Sequence, residues 1–224
     1  NPRSVAFDGT NAYIGGYNNS GLEATVGVVK VAGVIGGGTP TATSLVASRF
    51  SSPNSRGIDA VAYEVTTTSL LMAHDAGSPA TSFITRRRAA DGAEDWKVIS
   101  PLELRPWAMA IDPIGDGNGP GVAFFASGQG RRLMLNLSDG SVVYTTGTGE
   151  TPGGIINTFP TVFGTLWRAV AFDPEGNIAL TAAHSGGGSA KGGFGCGLRS
   201  SANVWKALNG LDLNATTSSI ERDS

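Results

Sequence analysis

The sequence predicts an all-β protein built from four copies of one four-strand unit. A five-residue phrase recurs four times in 224 residues, and each copy reads small, Val or Met, Ala, bulky apolar, acid. A second apolar phrase follows every copy, and turn signals separate the apolar runs, as short strands require. The four copies are Ser4–Asp8, Ala60–Glu64, Ala108–Asp112 and Ala169–Asp173.

Each unit divides into four short apolar runs, and no long run keeps the 3.6-residue period of a helix. Turns are marked by pairs such as Asp91-Gly92 and Asp139-Gly140. Residues 1–209 therefore form one repeat domain, and residues 210–224 form a C-terminal tail or a joining strand. The units are residues 3–55, 56–104, 105–166 and 167–209. The predicted strands are a run from 3 to 8, then 13–16, 25–31, 43–50, 58–65, 69–73, 82–88, 96–99, 107–111, 121–126, 132–137, 142–145, 169–172, 177–182, 194–199 and 203–208.

Composition argues against two classes of partner. The net charge is −2, only 15% of the residues are charged, and 33 are Gly, so we expect no nucleic-acid binding. The one basic run, Arg86-Arg87-Arg88, is expected on a solvated edge strand. No apolar run approaches the roughly 20 residues that span a bilayer, so we expect no membrane insertion.

Four short strands per repeat, with small residues in the first strand, are typical of a β-propeller blade. We therefore predict a propeller-like architecture in which the inner positions Ala6, Ala62, Ala110 and Ala171 are all buried. A β-sandwich of repeated hairpins is the alternative. Four repeats are fewer than most propellers contain. Three accounts remain open: a closed four-blade ring, a fragment of a larger propeller, and protomers that complete their sheets by association.

The segment from Ala169 to Thr181, Ala-Val-Ala-Phe-Asp-Pro-Glu-Gly-Asn-Ile-Ala-Leu-Thr, resembles blades of NHL-repeat and SMP-30/gluconolactonase-like propellers. In those blades an inner strand ends at Asp-x-x-Gly-Asn and a second strand follows. The resemblance implies a divalent metal held at the central axis by Glu, Asn and Asp, and a metal-dependent lactonase activity. The family's axial Glu and its paired Asn and Asp are not assigned to positions of this chain.

Several residues are candidates for chemistry. His74 and His184 end the second phrase in units two and four, and Asp116 and Asn118 lie in a Gly-rich loop, so these four are the candidate metal ligands. Local hydrogen bonds are the simpler expectation for the histidines.

The repeated acids Asp8, Glu64, Asp112 and Asp173 are expected to accept hydrogen bonds from the turns that follow them. Cys196 is the only cysteine, which excludes an internal disulfide, and its Gly-rich setting favours a small buried residue over a nucleophile.

The sequence contains no Gly-x-Ser-x-Gly elbow, His-Glu-x-x-His pair or Walker loop, so no catalytic residues are assigned. Sequons at Asn18, Asn136 and Asn214 are candidate glycosylation sites and, with an Asn at residue 1, favour a secreted or cell-surface protein.

We expect a non-enzymatic binding or structural protein without a cofactor. It would associate with itself, as an oligomer or filament, through sheet edges or the tail. The alternatives are a lactonase-like hydrolase with calcium or zinc, and a fragment of a larger propeller enzyme.

Overall fold

A computed structural model describes residues 2–16, 27–46, 57–75, 82–99, 106–114, 122–127, 132–146, 166–183, 193–201 and 204–212. All regular secondary structure within these ranges is β-strand. The all-β prediction is confirmed. These ranges contain no helix that is long and apolar enough to cross a membrane.

The described residues form sixteen strands in four antiparallel sheets, and each sheet contains four strands that are consecutive in the sequence. Sheet 1 contains β1 to β4, sheet 2 contains β5 to β8, sheet 3 contains β9 to β12 and sheet 4 contains β13 to β16. The strands are β1 (Pro2–Phe7), β2 (Ala12–Gly16), β3 (Val28–Ala32), β4 (Thr41–Val46), β5 (Gly57–Glu64), β6 (Ser69–Asp75), β7 (Phe83–Arg88), β8 (Glu94–Ile99), β9 (Pro106–Asp112), β10 (Val122–Ser127), β11 (Arg132–Asn136), β12 (Val142–Thr146), β13 (Leu166–Phe172), β14 (Ile178–Ala183), β15 (Gly193–Ser201) and β16 (Val204–Asp212).

Each predicted four-strand unit corresponds to one sheet, which supports the propeller prediction over the sandwich. The last strand runs further than expected: β16 continues to Asp212, where Leu211 pairs with Phe194 and Asp212 with Gly193. The first three residues of the segment predicted as a tail therefore belong to sheet 4. Residues 213–224 lie outside the described part of the chain.

The basic run lies in β7, which is hydrogen-bonded on both sides, to β6 and to β8. The expectation of an edge strand is therefore wrong. Arg86 is held by Asp95 at 3.5 Å, Arg87 pairs with Glu94, and Arg88 donates to Asp91 at 2.8 Å. Asp91 lies in the turn between β7 and β8, and Glu94 and Asp95 lie in β8. The three arginines are therefore paired with acids of their own sheet.

The sheets pack face to face in chain order. β1 and β2 contact β5, β5 and β6 contact β9, and β9 and β10 contact β13. Two apolar cores fill the first two of these interfaces. Among the described residues, the strands of sheet 1 and sheet 4 make no packing contact of comparable extent. The described sheets therefore form an open series and not a closed four-blade ring.

The repeated phrase assigns each sheet two faces. We call the face that carries the second and fourth residues of the phrase the leading face, and the face that carries the first and third residues the trailing face. Val61 and Tyr63, on the leading face of sheet 2, pack with Ala6, on the trailing face of sheet 1. Met109 and Ile111, on the leading face of sheet 3, pack with Ala60, on the trailing face of sheet 2. In both cores, the trailing face of one sheet thus meets the leading face of the next.

This rule corrects the prediction that all four phrase alanines are buried. Ala6 is 8% exposed, Ala62 and Ala110 are half-buried, and Ala171 is exposed. Ala171 lies on the trailing face of sheet 4, which no described sheet follows. Its exposure therefore has a simple cause, the lack of a covering sheet.

Candidate functional site

The acid that ends each phrase organises the turn after it. Asp8 accepts hydrogen bonds from the backbone N–H groups of Thr10 and Asn11 at 2.8 and 2.6 Å, and from the Tyr13 hydroxyl at 2.7 Å. Glu64 accepts bonds from the backbone N–H groups of Thr66 and Thr67 at 2.7 and 2.8 Å, and from both threonine hydroxyls. The predicted structural role of these acids is confirmed at both positions.

The same arrangement recurs in the other two units. Asp112 accepts a bond from the N–H of Ile114 at 3.0 Å, and Asp173 accepts bonds from the backbone and side-chain nitrogens of Asn177, each at 2.7 Å. Asp112 is fully buried, whereas Asp173 is exposed. This difference follows the faces, since the trailing side of sheet 3 is covered by sheet 4 and that of sheet 4 is not covered.

Hydrogen bonding sets the charge state of Asp8, Glu64 and Asp173. Burial by itself would raise the pKa of Asp8, but bonds from Asn11, Tyr13 and Thr10 outweigh that effect and lower the pKa to about 2. Burial likewise opposes a lowered pKa at Glu64, where bonds from Thr66 and Thr67 prevail. The pKa of Asp173 is lowered chiefly by the Asn177 side chain. These carboxylates are ionised at neutral pH and are already engaged by their own turns.

Of the four predicted metal ligands, only His74 lies in the described part of the chain. His184, Asp116 and Asn118 lie outside the described part of the chain. His74 is 2% exposed, its Nε2 lies 2.9 Å from Thr85 Oγ1, and its ring stacks on Phe83 with centroids 4.2 Å apart. Burial, and then the charges of Arg87 and Lys97, lower the pKa of His74 well below its ordinary value. A neutral His74 packed in the interface between sheets 1 and 2 is a structural residue.

No group of three or more His, Cys, Asp or Glu side chains with metal-binding geometry occurs within the described ranges. His74 thus meets a hydroxyl of the neighbouring strand β7. Cys196 lies in β15 opposite Ala179 of β14.

Of the three sequons, only Asn136 lies in the described part of the chain. Asn136 ends β11 and is half-buried, and its backbone N–H and C=O bond to Ser141 and Gly140 in the hairpin that follows. Asn18 and Asn214 lie outside the described residues. Glycosylation at the three positions stays a prediction.

The leading face of sheet 1 is apolar, and no described sheet covers it. Val5 is 66% exposed and Phe7 46%, although Val61, which occupies the position of Val5 in the next copy of the phrase, is only 7% exposed. Ile14 lies opposite Val5 in β2, and Val29 lies opposite Ile14 in β3. These four side chains continue one apolar surface across three strands, because directly paired residues share a face.

The hairpin between β3 and β4 also exposes apolar residues. Its apolar residues Val34 and Ile35 are 45% and 63% exposed. In the two following sheets the corresponding hairpins carry Ala89 and Leu137, which are 5% and 6% exposed within the apolar cores. Exposed apolar side chains in one connected area mark interaction surfaces in folded proteins.

The trailing face of sheet 4 is the second uncovered face. At the first position of the phrase, Ala60 and Ala108 are each 5% exposed, whereas Ala169 is exposed. At the third position, Ala171 is exposed. The candidate functional surfaces are therefore the two end faces of the series, one apolar and bulky and the other lined by alanines.

Reasoning from the sequence missed both end faces. The phrase copies are too similar to distinguish a covered sheet from an uncovered one. A weak signal was present in the hairpins, where Val34-Ile35 in unit one is an apolar pair inside a Gly-rich turn.

No family model matches the chain, and no curated protein matches it in sequence. Solved structures are similar in fold. Apo AztD from Citrobacter koseri is 9% identical with a TM-score of 0.52, and the match covers 94% of this chain and 46% of that chain. The Neurospora crassa Pan2 WD40 domain is 11% identical with a TM-score of 0.58, covering 94% of this chain and 49% of that one.

A chain in the structure of a mitotic checkpoint complex is 10% identical with a TM-score of 0.56, and the match covers 95% of this chain and 52% of that chain. At such identities the likeness shows the fold alone. The chain spans about half the length of these solved structures. Together with the four-stranded sheets packed in sequence, these matches show a β-propeller architecture.

Proposed function

We propose that this chain is a non-enzymatic binding or structural protein that acts by associating with itself through its uncovered sheet faces. One observation carries the proposal: Val5 is 66% exposed at a position where Val61, in the next sheet, is 7% exposed. Exposing the side chains of Val5 and Phe7 to water is unfavourable by about 25 cal/mol per Å² of apolar surface. Covering this surface supplies a driving force for association.

The site chemistry favours this role over catalysis. The carboxylates of Asp8, Glu64 and Asp173 are occupied by their own turns, and His74 is neutral and buried. The resemblance of residues 169–181 to NHL and SMP-30-like blades supports the lactonase alternative. In this chain, however, the Asp173 and Asn177 side chains bond to each other at 2.7 Å. A calcium titration by calorimetry, with a lactone hydrolysis assay, tests that alternative.

Display outside the cell is the proposed setting. The sequons and the low proportion of charged residues, 15%, support this setting. The intact mass of the natural protein before and after glycosidase treatment tests it. A mass equal to that of the bare 22.8 kDa polypeptide would remove glycosylation as support.

Self-association is tested by light scattering over a wide range of protein concentration. The expected result is a mass above 22.8 kDa for the wild-type chain. Deleting residues 213–224 tests the tail as a second route of association, and it spares the paired part of β16. A chain that stays at the monomer mass at every concentration would contradict the proposal.

A further inference from the structure

The interface between successive sheets is made of two unlike halves. In the strands that carry the phrase, the trailing half has small side chains such as Ala6 and Ala60, and the leading half has larger ones such as Val61, Met109 and Ile111. Small residues on one sheet accept bulky residues of the next, as interdigitated packing requires. The same pairing recurs between sheets 1 and 2 and between sheets 2 and 3.

The two uncovered end faces are the two missing halves of one such interface. Sheet 1 presents the leading half, with Val5 66% and Phe7 46% exposed. Sheet 4 presents the trailing half, with Ala169 and Ala171 exposed. The phrase strands of the two end faces therefore differ in the same way as those of two sheets that pack together.

The hairpins give independent support, because a turn of sheet 2 packs closely on sheet 1 and a turn of sheet 3 packs closely on sheet 2. A Cβ added to Gly92, between β7 and β8, would lie 2.5 Å from the backbone oxygen of Leu45 in sheet 1. A Cβ added to Gly140, between β11 and β12, would lie 2.7 Å from Val98 in sheet 2. In the same turn Leu137 O accepts bonds from Arg86 Nη1 at 2.6 Å and Trp96 Nε1 at 2.9 Å.

The corresponding hairpin of sheet 1, between β3 and β4, has open space around its glycines. A Cβ added to Gly36, Gly37 or Gly38 would meet no atom within 4 Å, and Val34 and Ile35 are exposed beside them. In sheets 2 and 3, the equivalent hairpin packs on the preceding sheet. The turn and the leading face thus indicate the same kind of neighbour, a sheet built like sheet 4.

We infer that the occupant is a second copy of this chain, with the trailing face of sheet 4 of each copy packed on the leading face of sheet 1 of the other. This inference rests on the proposed self-association and specifies its geometry. Two copies then form two identical heterologous contacts and close a ring of eight sheets. Eight blades is within the range that propellers adopt.

The test compares three aspartate substitutions by light scattering and sedimentation. Val5→Asp and Ala171→Asp each place a charge in the inferred contact, and each is expected to weaken association by on the order of 100-fold or more. Val65→Asp is the matched control, because Val65 is 73% exposed in a turn outside both faces, and association should not change. Thermal melting of the three variants verifies that each is folded.

The wild-type chain should reach a plateau at the mass of two 22.8 kDa copies. An equimolar mixture of Val5→Asp and Ala171→Asp retains one intact contact per pair, so the mixture should associate at least 10-fold more tightly than either variant alone.

Five results would overturn the inference. Loss of association in Val5→Asp but not in Ala171→Asp would show sheet 1 packed on sheet 1, and unchanged association in both would show pairing of sheet edges or the tail. In both cases self-association itself would stand. A mass that grows without a plateau would show an open filament. A monomer at all concentrations would reject the proposed function as well, and a natural polypeptide of about twice the mass would assign the faces to further sheets of one longer chain.

Discussion

The interface between sheets 1 and 2 and the uncovered leading face of sheet 1 contain the same sequence phrase in opposite surroundings. Val61 is 7% exposed and belongs to an apolar core, while Val5 at the same phrase position is 66% exposed. The phrase therefore specifies which face a side chain is on. Burial depends on whether another sheet covers that face.

The largest difference between the two regions is expected at the hairpin glycines. Gly92 and Gly37 have nearly equal backbone angles, with φ of +75° and +74°, so the backbone strain of an added side chain is similar at both. Gly92→Ala also drives a Cβ to 2.5 Å from Leu45 O, whereas Gly37→Ala meets open space. We expect Gly92→Ala to lower the free energy of unfolding by about 2 to 4 kcal/mol and Gly37→Ala by about 1 kcal/mol.

Chemical denaturation in the Val5→Asp background, which should hold the chain as a monomer, measures both values. Equal losses in the two variants would mean that the hairpin of sheet 2 does not pack on sheet 1.

Much of the architecture could be predicted from the sequence because it depends on local signals. The alternation of apolar residues and the Asp-Gly turns predicted all sixteen described strands, each to within four residues at either end. The role of Asp8 and Glu64 followed from the short reach of a carboxylate to the next turn.

The rest depends on contacts between distant parts of the chain. The burial of His74 requires Thr85 and Phe83 from a strand about ten residues further on. The exposure of Ala171 could be predicted only by knowing that no described sheet follows sheet 4. Neither fact is encoded by a local pattern, so neither candidate-site assignment could be made from the sequence.

A second pair of substitutions compares the trailing faces. Ala60→Leu inserts three carbons into the core between sheets 2 and 3 and should cost about 1 to 3 kcal/mol through overpacking. Ala169→Leu occupies the same phrase position on the uncovered face, so the change should stay within about 0.5 kcal/mol in a monomeric background. Thermal unfolding of both variants measures the difference, and a large loss in Ala169→Leu would show that sheet 4 is covered.

The phrase acids offer a third comparison. Glu64 is 5% exposed and accepts four bonds from Thr66 and Thr67, so Glu64→Ala should lower the free energy of unfolding by about 1 to 2 kcal/mol. Asp173 makes comparable bonds in water, and Asp173→Ala should cost less. Urea titrations of the two variants decide the order, and the reverse order would contradict the account of the turns.

The smallest effect concerns pH. The pKa of Asp8 is about 2 in the folded chain, below the value of about 3.9 in an unfolded one. Its contribution is therefore fully present above about pH 4 and is lost as the pH falls towards 2. Asp8→Ala should cost about 1 kcal/mol at pH 5, and the gap to wild type should narrow on acidification. A gap that is constant between pH 5 and pH 2 would show that Asp8 does not stabilise its turn as a carboxylate.

The central claim, that the two end faces are halves of one contact, is tested most directly by thiol labelling. Val5→Cys, Ala171→Cys and the control Val65→Cys, each with Cys196→Ala, are reacted with a maleimide at increasing protein concentration. The account predicts fast labelling of all three at low concentration, followed by slowing at Val5→Cys and Ala171→Cys over the same concentration range, while Val65→Cys stays fast. Unchanged labelling of Val5→Cys and Ala171→Cys at concentrations where the chain is associated would contradict it.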